Sequence, residues 1–496
     1  DDNLAFAAYL RFLRDHRDIT PYALDLSQRV VVRVRDKQGR PVHDARVALK
    51  DKHGIFEARR TYPDGRALLF VSEQARAREQ GVQVEVSYQG VQQTAFLNAS
   101  RKHTLEIRLD TKRSQPKQVP LDIAFVLDTT GSMGDELARL KETLEVINFQ
   151  IRNLSPRPDV RFGMVLYRDV GDDYRVRSIP FTRDVQAFAQ ALSKVQAGGG
   201  DDYPEDVQEG LRVAMQDLKW RESGVRLAFL IGDAPPHTDY EQSYTYVSAM
   251  KDAARRGIKI ATIGASGLTT EGEVVWRQIA QYTMAPFVFL SYGEKGDSEG
   301  APSSVSHHVG SNWVAENLDA IIVRMVKVEM AHLSPRGAPQ RQDYFSASRS
   351  MRLPADDVLE DLFTQSVRQL LDYSVQRISP RTPTVILPLS GQATKAGHAK
   401  LERRLHLGLA RTPAFQLIER KAAPKLLKTL AQQMSERFDE GQAIELGKMV
   451  PAKLAVLGHV EASKDGPYEM LVKLVRLETG EVLSLSLLKI DRSLLM

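Results

Sequence analysis

The run Ile123-Ala124-Phe125-Val126-Leu127-Asp128-Thr129-Thr130-Gly131-Ser132 decides the fold. Its apolar first half has no alternation and reads as a strand buried on both faces. Asp128, Thr130 and Ser132 then set one acid and two hydroxyls at alternate positions, where the strand gives way to a helix. In a doubly wound sheet that point is the carboxyl edge, where ligands bind. Hard oxygens on one short loop suit Mg²⁺ or another hard divalent cation. The run therefore predicts a metal site that binds something, rather than a nucleophilic triad.

On either side of this run, strands and helices alternate. Strands are expected at 122–128, 160–168, 226–232, 258–264 and 286–291, and helices at 134–153, 184–195, 205–218, 242–256, 272–282 and 315–333. In the first helix Leu137, Leu140, Leu144, Ile147 and Ile151 fall on one stripe. Residues 120–333 thus read as a doubly wound, mostly parallel sheet with helices on both faces. Upstream, 1–28 holds a short amphipathic helix (3–14). Val30, Val32 and Val34 then open an alternating pattern, with further strands near 45–50, 67–71, 82–88 and 104–109 and turn chemistry at Asp36–Val42 and Pro63-Asp64-Gly65. Residues 29–110 are expected to form a small β-sandwich, and 111–119 a linker. Downstream, 334–353 is a second linker rich in Ser, Pro, Gly, Gln and Arg. Residues 354–496 read as a third, α/β domain, with strands at 384–389, 415–420, 453–461, 468–477 and 482–490 and helices at 354–376, 397–411 and 421–449. The fold class is multidomain α/β.

A chain of 496 residues is too long for one ordinary core. Its apolar and charged fractions, 42% and 26%, are those of a globular protein, and no apolar run is long enough to span a membrane. With no Cys, disulfides, thiolate metal sites and Cys nucleophiles are excluded. The first residue is Asp1, not Met, which a removed signal peptide or a trimmed chain would explain. The net charge of +5 conceals a pattern. Residues 1–120 hold 22 Lys and Arg against 15 Asp and Glu, residues 121–379 hold 28 against 36, and residues 380–496 hold 18 against 12. An acidic middle between basic ends suits a cation site in the middle. No basic run interleaved with aromatics argues for nucleic acid.

Two more loops carry oxygen ligands: Gly199-Gly200-Asp201-Asp202-Tyr203-Pro204-Glu205, and Gly232-Asp233 closing the apolar strand Leu227 to Ile231. The ordered set D-x-T-G-S, G-G-D-x-P-E and apolar-strand-G-D resembles the von Willebrand factor A (VWA) domain and its metal-ion-dependent adhesion site. The resemblance implies that Thr130 and Ser132 hold the cation through their hydroxyls, and that Asp128 and Asp233 hold it directly or through water. The second loop departs from the family, which often has Thr there; this chain offers Asp202, or Asp201 if the loop shifts by one. The extra carboxylate raises intrinsic cation affinity and reduces the need for a partner's carboxylate. The cofactor expected is Mg²⁺, with Mn²⁺ and Ca²⁺ as alternatives. Asp169, Asp172 and Asp173 read as loop carboxylates, Glu205 as a helix-start residue favoured by the helix dipole, and His237 as a rim residue. His307-His308 is taken as incidental.

The stretch VVVRVRDKQGRPVHDARVAL…YPDGRALL resembles the carboxypeptidase-regulatory-like sandwich modules of exported bacterial proteins. The C-terminal stretches TVILPLS, FQLIER, AIELGK, AVLGHV and ETGE resemble the envelope domain shared by the curli-secretion lipoproteins and flagellar outer-membrane accessory proteins. Together the resemblances imply a non-enzymatic, metal-dependent protein-binding protein of the bacterial envelope, used for adhesion or as an assembly scaffold. Its location would be periplasmic, outer-membrane-associated or extracellular. They imply a protein partner gripped through an acidic side chain, oligomerisation as an option, and membrane association through a removed N-terminal anchor. Two alternatives belong to other classes. A metal-assisted hydrolase would need His237 or Glu205 as general base. An accessory VWA subunit of an ATPase complex would partner a P-loop, and no G-x-x-x-x-G-K-[ST] occurs here.

Overall fold

The computed structural model describes residues 2–19, 21–22, 24–71, 73, 82–97, 104–200, 203–265, 267–289, 318–334, 358–374, 378–392, 395–418, 440–462 and 468–490. The chain divides into two compact units, Asp1–Gln340 and Arg341–Met496. No described helix is long and apolar enough to cross a membrane.

The first unit opens with α1 (Phe6–Asp15) and seven strands: β1 (Arg29–Arg35), β2 (Arg46–Asp51), β3 (Gly54–Arg60), β4 (Arg66–Phe70), β5 (Gln83–Tyr88), β6 (Val91–Phe96) and β7 (Thr104–Arg108). They form a three-stranded sheet, β4-β1-β7, and a four-stranded sheet, β3-β2-β5-β6. The alternation along β1 puts Val30, Val32 and Val34 into one core with Val47, Leu49, Val84, Val86 and Ile107 from both sheets. The turn after β1 is tied by Asp36, whose carboxylate accepts from the Gln38 and Arg40 N–H groups at 2.9 Å.

The larger sheet of this unit follows. Its elements are β8 (Gln118–Asp128), α2 (Gly134–Arg152), β9 (Arg157–Tyr167), β10 (Val176–Thr182), α3 (Val185–Ser193), α4 (Val207–Arg212), β11 (Val225–Gly232), α5 (Tyr246–Arg256), β12 (Ile258–Gly264), α6 (Thr270–Tyr282), β13 (Phe287–Phe289) and α7 (Leu318–Ala331). The strand order is β10-β9-β8-β11-β12-β13. All neighbours are parallel except β10, which runs antiparallel to β9. Strands β11 and β12 are buried along their whole length, as expected for a parallel sheet covered on both faces. The stripe along α2 is buried from Leu137 to Ile151. Strand β10 has no counterpart among the expected strands. It carries Pro180, and its pairing shifts register between Ile179 and Thr182, which an edge strand tolerates.

The sandwich is bound to this sheet by charged groups. Asp44 pairs with Arg226 and accepts from Gly224 N–H at 2.8 Å. Arg59 lies over the Tyr282 ring, 4.5 Å from its centroid. Arg113, within the expected linker, donates to the carbonyls of His332 at 2.8 Å and Ser334 at 2.7 Å, just beyond α7, where a cation complements the helix C-terminus.

In the second unit a sheet is ordered β16-β14-β17-β18-β19, with β15 paired to β17. The strands are β14 (Thr382–Ile386), β15 (Ser390–Gly391), β16 (Phe415–Leu417), β17 (Leu454–Ala462), β18 (Tyr468–Arg476) and β19 (Glu481–Ile490). Helices α8 (Val358–Asp372) and α9 (Lys395–Ala410) share one core with the sheet. Helix α10 (Glu440–Met449) packs into a second core with Val385, Ala455 and Val475. The expected helix over 421–449 is described only in that last part.

Candidate metal centre at the carboxyl edge of the central sheet

Strand β8 comes first in this sheet yet lies in its middle. The chain leaves it for β9 on one side and reaches β11 on the other. Order therefore reverses between β8 and β11, and a crevice must open beyond their carboxyl ends. The register Leu127↔Ile231 sets Asp128 beside Gly232. A side chain at Gly232 would crowd this edge: a Cβ there would lie 2.6 Å from Tyr167 Oη and 3.0 Å from Asp128 Cβ. The loop after β8 turns at once into a single tight turn, Gly131–Met133, and then α2.

In this crevice Asp128 is fully buried. Its Oδ1 accepts from the Thr130 N–H at 2.9 Å and from the Thr130 hydroxyl at 2.7 Å. Its Oδ2 is buried and has no hydrogen-bond partner among the described residues. The Thr130 and Ser132 hydroxyl oxygens are 3.4 Å apart, and Ser132 hydrogen-bonds Asp233 from the neighbouring strand end. The structure thus brings together four of the expected ligands, Asp128, Thr130, Ser132 and Asp233. Asp201 and Asp202 lie outside the described residues, as do His307 and His308. Among the described residues no three His, Cys, Asp or Glu side chains are grouped as a metal cluster. The donors present are two carboxylates and two hydroxyls.

The second loop is laced to the first and third. Gly198 N–H donates to Thr129 O at 3.1 Å, and Gly131 N–H to Gly199 O at 3.2 Å. Gly200 has φ +80°, and a Cβ there would come 2.9 Å from Thr130 Cβ and 3.0 Å from Glu205 Oε1. Glu205 N–H donates to Pro235 O at 3.1 Å, and His237 N–H to Glu205 O at 3.0 Å. This corrects the reading of Glu205 as a helix-start residue. The helix begins at Val207 and its cap is Asp206, whose carboxylate accepts from Glu209 N–H at 3.1 Å. Glu205 is instead a buried carboxylate beside Thr130 and Gly200, with Oε2 unpartnered among the described residues. The loop Gly199–Glu205 gave a hint of this, since Pro204 separates Glu205 from the preceding acids and the helix needs only one cap.

Asp169 and Asp172 also reach this edge. Asp169 accepts from the Tyr240 hydroxyl at 2.7 Å, and Asp172 accepts from Gly200 N–H at 3.3 Å. Asp173 points to solvent. His237 stacks on Tyr240 with ring centroids 4.0 Å apart. Its Nδ1 lies 2.7 Å from Asp239 and its Nε2 3.4 Å from Asp169, so both ring nitrogens face carboxylates. No sequence signal marked Tyr167 or Tyr240, which reach the site from a strand end and from a loop.

Crowding of buried acids shows in their protonation. Burial, then the Asp233 charge, pushes the Asp128 carboxyl up to about 7 against the two Thr130 hydrogen bonds. Burial, then Asp128, Asp169, Asp172 and Asp233, pushes Glu205 up to about 9. Asp233 is raised by burial, with the Ser132 hydrogen bond opposing. Such a cluster is unfavourable on its own and becomes favourable around a cation. The Asp128 Oδ2, unpartnered among the described residues, and the paired hydroxyls fit a divalent cation.

Residues 122–274 match the family model of the von Willebrand factor A domain. Among curated proteins, the alpha-protein kinase vwkA of Dictyostelium discoideum is 31% identical over 141 residues, 28% of this chain and 22% of that protein. The chain therefore spans under a quarter of that relative's length. Among solved structures, the pilus adhesin SpaC from Lactobacillus rhamnosus GG is 16% identical, covering 51% of this chain and 33% of that one, with a TM-score of 0.30. Proximal thread matrix protein 1 from the mussel byssus, with a zinc-occupied MIDAS motif, is 15% identical, covering 38% and 49%, with a TM-score of 0.28. Family match, sheet order and loop placement agree: the chain carries a von Willebrand factor A domain at residues 122–274.

Proposed function

We propose that this chain is a non-enzymatic, cation-dependent protein-binding protein, whose VWA domain grips an acidic side chain of a protein partner through a bound divalent ion. The observation that carries this reading is the buried, unpartnered Asp128 Oδ2 beside the Thr130 and Ser132 hydroxyls and Asp233. These four residues would hold the ion, with Asp202 or Asp201 from the second loop. Glu205 sits against that loop and would add charge to the shell. Mg²⁺ has about six places to fill and usually keeps waters, and those waters are where a partner's carboxylate enters.

The bacterial envelope is the proposed setting, with the flanking domains as placing or assembling modules. Its support is the sequence resemblance of residues 29–110 and 354–496 to exported modules. Calorimetric titration with Mg²⁺, Mn²⁺ and Ca²⁺, beside the Asp128→Ala/Ser132→Ala double variant, tests the site. Saturable binding in the parent chain, lost in the variant, is expected. Equal heats from both would remove the metal site from these residues. A cation-dependent pull-down then tests the partner.

A further inference from the structure

Strand β6, Val91-Gln92-Gln93-Thr94-Ala95-Phe96, is the outer strand of the sheet β3-β2-β5-β6. Leu97 N–H donates to Val82 O at 2.9 Å, and the register runs from Gln83↔Phe96 to Tyr88↔Val91. An antiparallel ladder bonds at every second residue. Residues 91, 93, 95 and 97 therefore bond β5, while the N–H and C=O groups of Gln92, Thr94 and Phe96 point away from the sheet. None of these six groups has a partner among the described residues. The side chains divide likewise. Val91, Ala95 and Leu97 pack against the sandwich core, while Gln92, Thr94 and Phe96 face solvent, Phe96 with 71% exposure.

Open edges are usually protected, by charge, proline, a bulge or a covering helix. The other edge of this sheet, β3, lies against α5, and β6 comes near β7 of the facing sheet without a backbone hydrogen bond to it among the described residues. Strand β10 carries Arg177, Pro180 and a register shift. Strand β6 has no charged residue, no proline and no shift in its pairing.

We propose that β6 pairs antiparallel with β6 of a second copy of this chain, about a two-fold axis through Thr94, joining two four-stranded sheets into one of eight strands. In this register Thr94 stands opposite Thr94, and Gln92 opposite Phe96 of the second copy. Each facing pair exchanges two hydrogen bonds, so all three open positions on each strand are satisfied by six bonds. A slip of two residues that sets Phe96 against Gly90, in the turn between β5 and β6, leaves groups unpaired. The occupant is a second copy because β6, lacking charge, offers nothing to select a charged strand and brings no like charges together when it meets itself. An isologous contact needs such self-complementarity. Phe96 is then covered across the strands by the stem of Gln92 from the second copy, and the two threonines meet.

The test uses the full chain, which has no Cys of its own. Sedimentation equilibrium is expected to show a concentration-dependent dimer that persists in chelator. Thr94→Cys is expected to cross-link to a covalent dimer under mild oxidation or with a short bismaleimide, since facing Cα atoms sit about 5.5 Å apart. Gln92→Cys alone is expected not to, because the two-fold axis separates the two copies of residue 92 by about 13 Å. An equal mixture of Gln92→Cys and Phe96→Cys chains is expected to cross-link. Thr94→Pro removes only an outward N–H, so it keeps the β5 ladder and is expected to raise the dimer dissociation constant about tenfold or more. A chain monomeric at every attainable concentration, a dimer indifferent to Thr94→Pro, or Gln92→Cys cross-linking as well as Thr94→Cys would each overturn the proposal.

Discussion

Asp128→Asn is the perturbation with the clearest sign. The wild-type carboxyl is held at about 7 in the folded chain against an ordinary value of 3.8. A folded value above the unfolded one means that the native state keeps the proton more tightly. The stability this confers is complete below about pH 3.8 and is lost as pH rises through 7. A shift of about three units corresponds to about 4 kcal/mol. Asparagine does not titrate, its Oδ1 keeps both Thr130 hydrogen bonds, and it removes the charge that confronts Asp233 and Glu205. In chelator, then, Asp128→Asn should gain on the wild type between pH 4 and pH 8 by up to about 4 kcal/mol, about 6 °C in the unfolding midpoint of the first unit. With saturating Mg²⁺ at pH 8 the order should reverse, because only the wild type is stabilised by binding. Thermal unfolding at both pH values, with and without Mg²⁺, reads all of this. A difference in chelator that does not grow with pH would show that Asp128 ionises without strain, and the metal-site argument would lose its electrostatic basis.

Two further predictions follow from the same crevice. Cation affinity should fall by about tenfold for each pH unit between about 9 and 7, where Glu205 must lose its proton, and more steeply below about 7, where Asp128 must lose its own as well; calorimetry in buffers of different ionisation heat would count those protons, and a flat profile from pH 5 to 8 would refute it. Gly232→Ala should destabilise by about 1–3 kcal/mol and weaken cation binding, since its Cβ meets Tyr167 Oη at 2.6 Å. Adding Tyr167→Phe, which removes a hydroxyl without a partner among the described residues, should restore part of both; denaturant titration of the single and double variants decides it.

The central sheet was legible because its strands are buried on both faces and its longest helix carries an unbroken stripe. Phe125, Phe229 and Ile260 could not be placed at a surface, and Leu140 to Ile151 could not be placed in a strand. Strand β10 was not legible. Val176-Arg177-Ser178-Ile179-Pro180-Phe181-Thr182 has the proline and charge of a loop, and only pairing with the finished β9 makes it a strand. Strand β6 was missed for a related reason, since its central Gln92-Gln93-Thr94 is polar on both faces. At the site, Asp128, Thr130, Ser132 and Asp233 were readable because the strand ends that carry them are fixed by the apolar runs before them. Glu205 was misread because its place depends on where α4 starts, and Asp206, not Glu205, caps that helix. Asp169 and Asp172 were readable only as loop acids; the Tyr240 contact ties Asp169 to the third loop and the Gly200 contact ties Asp172 to the second, both between residues distant in the chain.

The acidic balance of residues 121–379 acquires a specific meaning from this arrangement. Several of its excess carboxylates are not solvated but gathered at one sheet edge, where Asp128, Asp169, Asp172 and Asp233 all raise Glu205. Without a cation the fold can keep these groups together only by leaving some protonated. On the proposed reading, a bound cation would release those protons and turn the repulsion into coordination. The destabilisation of the ion-free chain and the steepness of cation binding with pH are therefore one free energy, measured from opposite sides. A variant that relieves the first must flatten the second. Glu205→Gln should do so in part, making the ion-free chain increasingly more stable than the wild type as pH rises from about 4.5 to about 9, and lowering the number of protons released per cation bound. If unfolding midpoints rose in that variant while proton release stayed unchanged, Glu205 would be strained for a reason unrelated to the ion, and the acid cluster would be two separate features rather than one site.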